Sequence, residues 1–177
     1  MSDHVMVDRI LAWNLDRPFR FAMTGGVHAG KTSLAKAYIE SLEMLGIPCF
    51  GCLEIAVFDE TRVRVGYDFY QIQTGMRRPF ARKSLNDGHD AGMAQKYAFD
   101  DSIWPWFEAA YQNIPEGGVA FFDELGKLEA SGLGMMRFVQ SFIQASNHLR
   151  GTVMVCRQSE LARICGYLGD WDWIEEV

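Results

Sequence analysis

An α/β fold, a mainly parallel sheet flanked by helices, is predicted from three observations. Apolar runs of strand length alternate with amphipathic runs of helix length along most of the chain. Between the first core strand and the first core helix stands Gly25-Gly26-Val27-His28-Ala29-Gly30-Lys31-Thr32, a complete G-x-x-x-x-G-K-[ST] loop. A later apolar strand, Val119-Ala120-Phe121-Phe122, ends in Asp123-Glu124. The 177 residues are 49% hydrophobic, enough for one substantial core. With no repeat or low-complexity linker, the expected organisation is a helical extension, residues 1–18, before a single domain, residues 19–177.

Each element has its own signal. Residues 5–13 read as a short amphipathic helix with Val5, Ile10 and Trp13 available for packing. Residues 19–24 form the first core strand, and residues 31–45 a helix ended by Gly46 and Pro48. Residues 49–58 are a second strand, and Asp59-Glu60-Thr61 turns it. Residues 62–72 then alternate apolar and polar side chains, which predicts a hairpin insertion with one wet face. Residues 75–83 read as a loop or third short strand, and residues 84–95, poor in large apolar side chains, as a mobile loop. Helices are expected over 102–113, 132–149 and 159–167, with strands over 119–123 and 152–156. The tail, 171–177, is expected as an edge strand.

Composition excludes several classes of function. No run of 18 apolar residues exists to span a membrane, and Asp3 and Asp8 break any secretory signal pattern. Four cysteines suit a reducing compartment, and a cytoplasmic protein is expected. A net charge of −6 argues against general nucleic-acid binding. Residues 62–83 nevertheless hold six basic side chains against one acid, so this segment is +5 and the remainder −11. Such a lobe suits a compact polyanion; the bland alternative is an arginine-protected sheet edge.

The two motifs imply phosphate chemistry. Gly25, Gly26 and Gly30 let the backbone turn its N–H groups onto phosphate oxygens, and the helix N-terminus adds partial positive charge. Val27, His28, Ala29 and Ser33 complete the expected nucleotide contact, with His28 flanking the phosphates. Lys31 would reach the β- and γ-phosphates, while Thr32 and Asp123 would share a Mg²⁺ ion. Glu124 can polarise a water in line with the γ-phosphate. Among Arg77, Arg78 and Arg82, Arg82 is the leading candidate for a catalytic arginine over the triphosphate, from the same or a neighbouring molecule. Arg64, within the alternating strand, suits a structural role.

Asp123-Glu124-Leu125-Gly126-Lys127-Leu128-Glu129 resembles the D-E-I-G-K-M-E signature of the cancer-related nucleoside-triphosphatase (THEP-type) family of small P-loop NTPases. Thr24 to Thr32 resembles that family's T-G-x-x-G-x-G-K-T loop, and Arg64-Val65-Gly66-Tyr67 its R-x-G-F segment. Gly75 to Arg82 and Gln95-Lys96-Tyr97 resemble further family stretches, so the likeness spans residues 19–157. The resemblance implies a RecA-like P-loop NTPase that slowly hydrolyses several nucleoside triphosphates with Mg²⁺. One departure is Cys52-Leu53-Glu54-Ile55-Ala56, where family members carry T-x-E-x-R.

Three classes of function stay open at this stage. A nucleoside-triphosphate hydrolase uses water as acceptor; a small-molecule or nucleoside kinase uses a hydroxyl; a slow regulatory switch acts through a protein partner that the sequence leaves unknown. The Asp-Glu pair favours hydrolysis, because a kinase gains nothing from activating water. ATP is the expected triphosphate and GTP the second, since no N-K-x-D guanine motif occurs. Cys49-Phe50-Gly51-Cys52 enters a strand rather than opening a helix, so it reads as buried packing and not as a redox pair.

Overall fold

The computed structural model describes residues 5–14, 16–83 and 97–177. The chain runs α1 (Val5–Ala12), β1 (Phe19–Gly25), α2 (Lys31–Met44), β2 (Cys49–Phe58), β3 (Arg64–Gln71), β4 (Arg77–Lys83) and β5 (Tyr97–Phe99). It continues through α3 (Trp104–Ala109), β6 (Val119–Leu125), α4 (Met136–Ala145), β7 (Gly151–Arg157), α5 (Leu161–Leu168) and β8 (Trp173–Glu176). One sheet holds all eight strands in the order β5-β4-β3-β2-β6-β7-β1-β8. Strands β2, β6, β7, β1 and β8 are parallel, and β3, β4 and β5 extend the β2 side antiparallel. The predicted α/β class and hairpin insertion are both present; the insertion lies in the plane of the main sheet.

Period-two alternation divides the core between the two faces. On β6, Val119 and Phe121 face one cluster with Phe21, Tyr38 and Leu42, while Ala120 and Phe122 face another with Phe107, Tyr111 and Val139. Strand β7 alternates likewise, Val153 and Val155 against Met154 and Cys156. Helix α1 joins the first face through Met6, Val7 and Ile10, and Arg150 donates from Nη1 to the Ile10 carbonyl at 3.1 Å. Tyr111 stacks on Phe122 with centroids 4.4 Å apart. Its hydroxyl donates to the Phe121 carbonyl at 2.8 Å and accepts from the Cys52 amide at 3.1 Å. That contact needs Gly51, whose φ is +117° and where a Cβ would lie 2.2 Å from the Phe121 oxygen.

Three elements differ from expectation. The helix expected over 132–149 is only Met136–Ala145. Gly132 and Gly134 adopt left-handed φ of +73° and +58°, which a helix cannot carry. The helix expected over 102–113 is divided into a 3-10 turn, Asp101–Ile103, and α3, with Asp100 accepting from the Ser102 amide at 3.0 Å. Strand β5 has no counterpart in the sequence reading. The expected mobile loop, residues 84–95, lies outside the described residues, as do Gln95 and Lys96 of the Gln95-Lys96-Tyr97 stretch.

Candidate active site

The phosphate loop joins the C-terminal end of β1 to the start of α2. Gly30, at φ +90°, is the residue before the helix, which has no side-chain cap on its first N–H groups. Those donors are therefore free to meet an anion. Lys31 is buried, and its Nζ donates to the carbonyls of Gly25 at 3.2 Å and Gly26 at 2.8 Å. Val27, His28 and Ala29 form the exposed crest, with His28 at φ +68°. Gly25 is pressed from behind by the tail: a Cβ there would stand 2.7 Å from the Val177 carbonyl oxygen.

The acid pair meets this loop from β6. Thr32 donates from Oγ1 to Asp123 Oδ2 at 2.9 Å, and the Glu54 amide donates to the same oxygen at 3.0 Å. The Glu124 amide donates to Asp123 Oδ1 at 2.8 Å. Between Phe122 and Leu125 the pairing of β6 with β7 slips, and Glu124 takes φ +59°. This bulge turns the Glu124 side chain out of the ladder and into the cleft. There Glu124 Oε1 accepts from Arg157 Nε at 2.8 Å, with Nη2 at 2.7 Å from the same oxygen.

Burial, and then the charge of Glu124, pushes the Asp123 carboxyl up to about 7 despite its three hydrogen bonds. Burial, reinforced by Glu124, Asp123 and Glu129, holds Glu54 well above the ordinary carboxyl range. Burial opposes the charge of Arg157, yet Glu124, joined by Glu54 and Tyr67, outweighs it and raises the guanidinium further. Glu54, Asp123, Glu124 and Glu129 thus crowd one side of the centre, and Lys31, Lys36, Arg64 and Arg157 bring positive charge to the cleft beside them. Among the described residues no group of three or more His, Cys, Asp or Glu side chains is arranged to hold a metal ion. A cation held by one hydroxyl, one carboxylate and phosphate oxygens, as Mg²⁺ prefers, fits the Thr32–Asp123 pair.

The opposite wall comes from the β2–β3 hairpin, and the cleft between measures about 420 Å³. Of the residues expected at the nucleotide, Val27 through Ser33 and Glu124 line it; Gly25 and Asp123 are buried, and exposed Gly26 is not among the lining. Arg82 is not brought to the cleft. Its Nη2 is 2.6 Å from Asp68 Oδ1 and its Nη1 donates to the Tyr67 and Ala81 carbonyls, so the hairpin itself holds it. Arg77 and Arg78 lie over the rings of Tyr70 and Trp106. The arginine that does reach the cleft from this segment is Arg64, stacked on Tyr67 at 5.3 Å, its buried Nε without a hydrogen-bond partner among the described residues.

Glu54 and Arg157 were given no role by the sequence. Glu54 belonged to a mid-strand run, whereas Arg157 closes a parallel strand at its carboxyl end, where open α/β sheets bind ligands. Glu129, the last acid of the D-E-L-G-K-L-E stretch, is a brace: its carboxylate accepts from the Gly126 amide at 3.0 Å and the Met135 amide at 3.3 Å. Cys49 and Cys52 are buried, and burial pushes both thiols up, Cys49 to about 12, so neither supplies a thiolate at neutral pH. A second cavity of about 500 Å³ lies between α1 and β8. Its aromatic walls are already covered, Arg9 lying over Trp173 and Arg17 over Trp13.

Comparison with known proteins agrees with this arrangement. The family model described as NTPase matches residues 20–166. The chain is 31% identical over 161 residues to the nucleoside-triphosphatase THEP1 of Natranaerobius thermophilus, covering 86% of this chain and 84% of that protein. The solution structure of a human cancer-related nucleoside triphosphatase superposes with a TM-score of 0.66 at 19% identity, over 89% of this chain and 87% of that one. The crystal structure of THEP1 from the hyperthermophile Aquifex aeolicus gives 0.57 at 20% identity, over 88% of each. Each of these relatives is named a nucleoside triphosphatase or THEP1. A matched family model across most of the chain, on a parallel sheet carrying a phosphate loop against an Asp-Glu pair, makes this protein a member of the NTPase family of P-loop nucleoside triphosphatases.

Proposed function

We propose that the cleft hydrolyses the β–γ anhydride bond of a nucleoside triphosphate, with Glu124 as general base and Lys31 on the β- and γ-phosphates. The observation that carries this reading is the 2.9 Å hydrogen bond from Thr32 to Asp123, which joins the phosphate loop to the acid pair. Thr32 and Asp123 would hold Mg²⁺, which when bound neutralises charge on the β- and γ-phosphate oxygens. Glu124 takes a proton from water as the water oxygen bonds to the γ-phosphorus. The bond from that phosphorus to the bridging oxygen breaks, leaving diphosphate and inorganic phosphate. Backbone N–H groups of residues 26–32 cradle the oxygens and keep the chain in register.

The reading of broad base specificity rests on the outer wall. Val27, Ile55, Ala56 and Phe58 line it, with Val27 64% and Phe58 57% exposed. Apolar side chains of this kind stack on any base and read no edge pattern. ATP and GTP are therefore both substrates on this reading.

The test is phosphate release from ATP and from GTP with Mg²⁺, with and without a panel of small hydroxyl acceptors. Release from both without acceptor is expected. Turnover that waits for an acceptor would overturn the hydrolase reading in favour of a kinase.

A further inference from the structure

We propose that Arg157 is a latch on the catalytic base: it holds Glu124 in the resting enzyme and is drawn onto the γ-phosphate of an arriving triphosphate, which frees the carboxylate for water. The inference rests on the hydrolase reading and adds a residue and an order of events to it.

Topology puts Arg157 between the two motifs. Strand β7 is inserted between β6, which carries the acid pair, and β1, which carries the phosphate loop. Arg157 is the last residue of β7 and is registered against Gly25, while its neighbour Cys156 is registered against Leu125. A side chain leaving the strand here emerges where the terminal phosphate of a loop-bound nucleotide must lie.

The contacts suit a latch better than a fixed brace. Arg157 applies Nε and Nη2 to a single oxygen, Glu124 Oε1, at 2.8 and 2.7 Å. Among the described residues no second acid is hydrogen-bonded to the guanidinium, and Glu54 attracts it only through space. Both side chains remain open to the cleft, 34% and 23% exposed, so a ligand there can reach either. Gly126 leaves room beside the pair: a Cβ there would come within 3.3 Å of Arg157 Nε, and no unusual backbone angle otherwise requires glycine. The Glu124 N–H donates to Asp123 Oδ1 and restrains the backbone there, so the exchange involves side chains alone.

Charge decides the direction. A terminal phosphate carries more negative charge than one carboxylate and offers paired oxygens that match a guanidinium fork. A diphosphate has no group at that position, so Arg157 returns to Glu124 after hydrolysis. The resting and product-bound enzymes thereby share a restrained base.

The test is a double-mutant cycle read by binding. Affinities for a β,γ-imido triphosphate analogue and for ADP, each with Mg²⁺, are measured calorimetrically for the parent, R157Q, E124Q and R157Q/E124Q. We expect R157Q to weaken the analogue by about 10-fold or more, as loss of a charge-assisted hydrogen bond does, and to leave ADP within about 2-fold. E124Q should tighten the analogue by about 3- to 10-fold, because Arg157 no longer has to leave a carboxylate. In the R157Q background that gain should vanish. Simple charge repulsion predicts the same gain in both backgrounds, and that result would overturn the latch. Equal losses for ADP and analogue in R157Q would mark a structural arginine and overturn it too. Should R157Q not fold, R157K, which keeps the charge without the fork, carries the test. Equal losses for analogue and ADP in R157K would refute the latch, and a loss confined to the analogue would support it. A parent that releases phosphate from neither ATP nor GTP defeats the hydrolase reading itself; a hydrolysing parent with an additive cycle defeats only the latch.

Discussion

Lys31 and Glu124 illustrate how much single side chains decide. Lys31 donates to two carbonyls of its own loop, so it is held at the phosphate position before any ligand arrives. Lys31→Ala should bring phosphate release down to background and weaken triphosphate binding, as steady-state assays and calorimetry would register. Glu124→Gln should fold and bind yet hydrolyse at least ~100-fold more slowly, the scale of a lost general base. Both residues were legible in the sequence because their spacing is local: a loop of eight residues, and a strand ending in two acids. Which arginine of the basic segment reaches the cleft was not. The charge of residues 62–83 singled out a segment, but Asp68 and two carbonyls claim Arg82. Arg64, not Arg82, is the arginine of that segment that lines the cleft.

Among the elements, β2 and β8 carry the most specific demands. Gly51 lets β2 approach β6 closely enough for Tyr111 to bridge them, and its left-handed φ excludes other residues. Gly51→Ala should lower unfolding stability by about 2 kcal/mol or more, measured by urea titration, through a strained backbone and a clash with the Phe121 carbonyl. Strand β8 is tied to the rest by Asp172, which pairs with Arg17 and accepts from the Arg20 amide at 2.8 Å. Burial raises the Asp172 carboxyl, but these partners outweigh it and hold it below the usual range. Its contribution is therefore present above the ordinary carboxyl pKa and is lost as pH falls through the lower folded value. Asp172→Asn should flatten the acid limb of the melting temperature against pH below about pH 4. The strands other than β5 were legible, β4 only as an alternative to a loop, because apolar runs, alternation and length are local signals. Helix α4 was over-extended because a run of apolar residues cannot reveal that Glu129 captures the Met135 amide and ends the turn-rich approach.

The whole molecule brings together what the chain separates. Strand order places β7 between the two motif strands, so Arg157 meets Glu124 across 33 positions of sequence. No spacing rule announces such a neighbour, which is why the sequence yielded the loop and the acids but left Arg157 and Glu54 without roles. Ligand binding should be felt globally for the same reason. Phosphate groups would be gripped by α2, β6 and β7 together, and a Mg²⁺–triphosphate analogue at 100 times its Kd should add ~2.7 kcal/mol to unfolding stability. Thermal denaturation with and without the analogue measures it, and Lys31→Ala should abolish most of the increment. Among the described residues no helix is long and apolar enough to cross a membrane.

The left-handed backbone at Glu124 has an evolutionary consequence. A glycine there would relax φ +59° without strain, and it would thin the crowd of carboxylates around Asp123 and Glu54. Glu124→Gly should thus melt higher than the parent while losing hydrolysis. Selection for robustness alone would drift toward that sequence, and only selection for turnover keeps glutamate at this position. A library screened solely for heat resistance should accumulate inactive variants at residue 124 before any other part of the cleft.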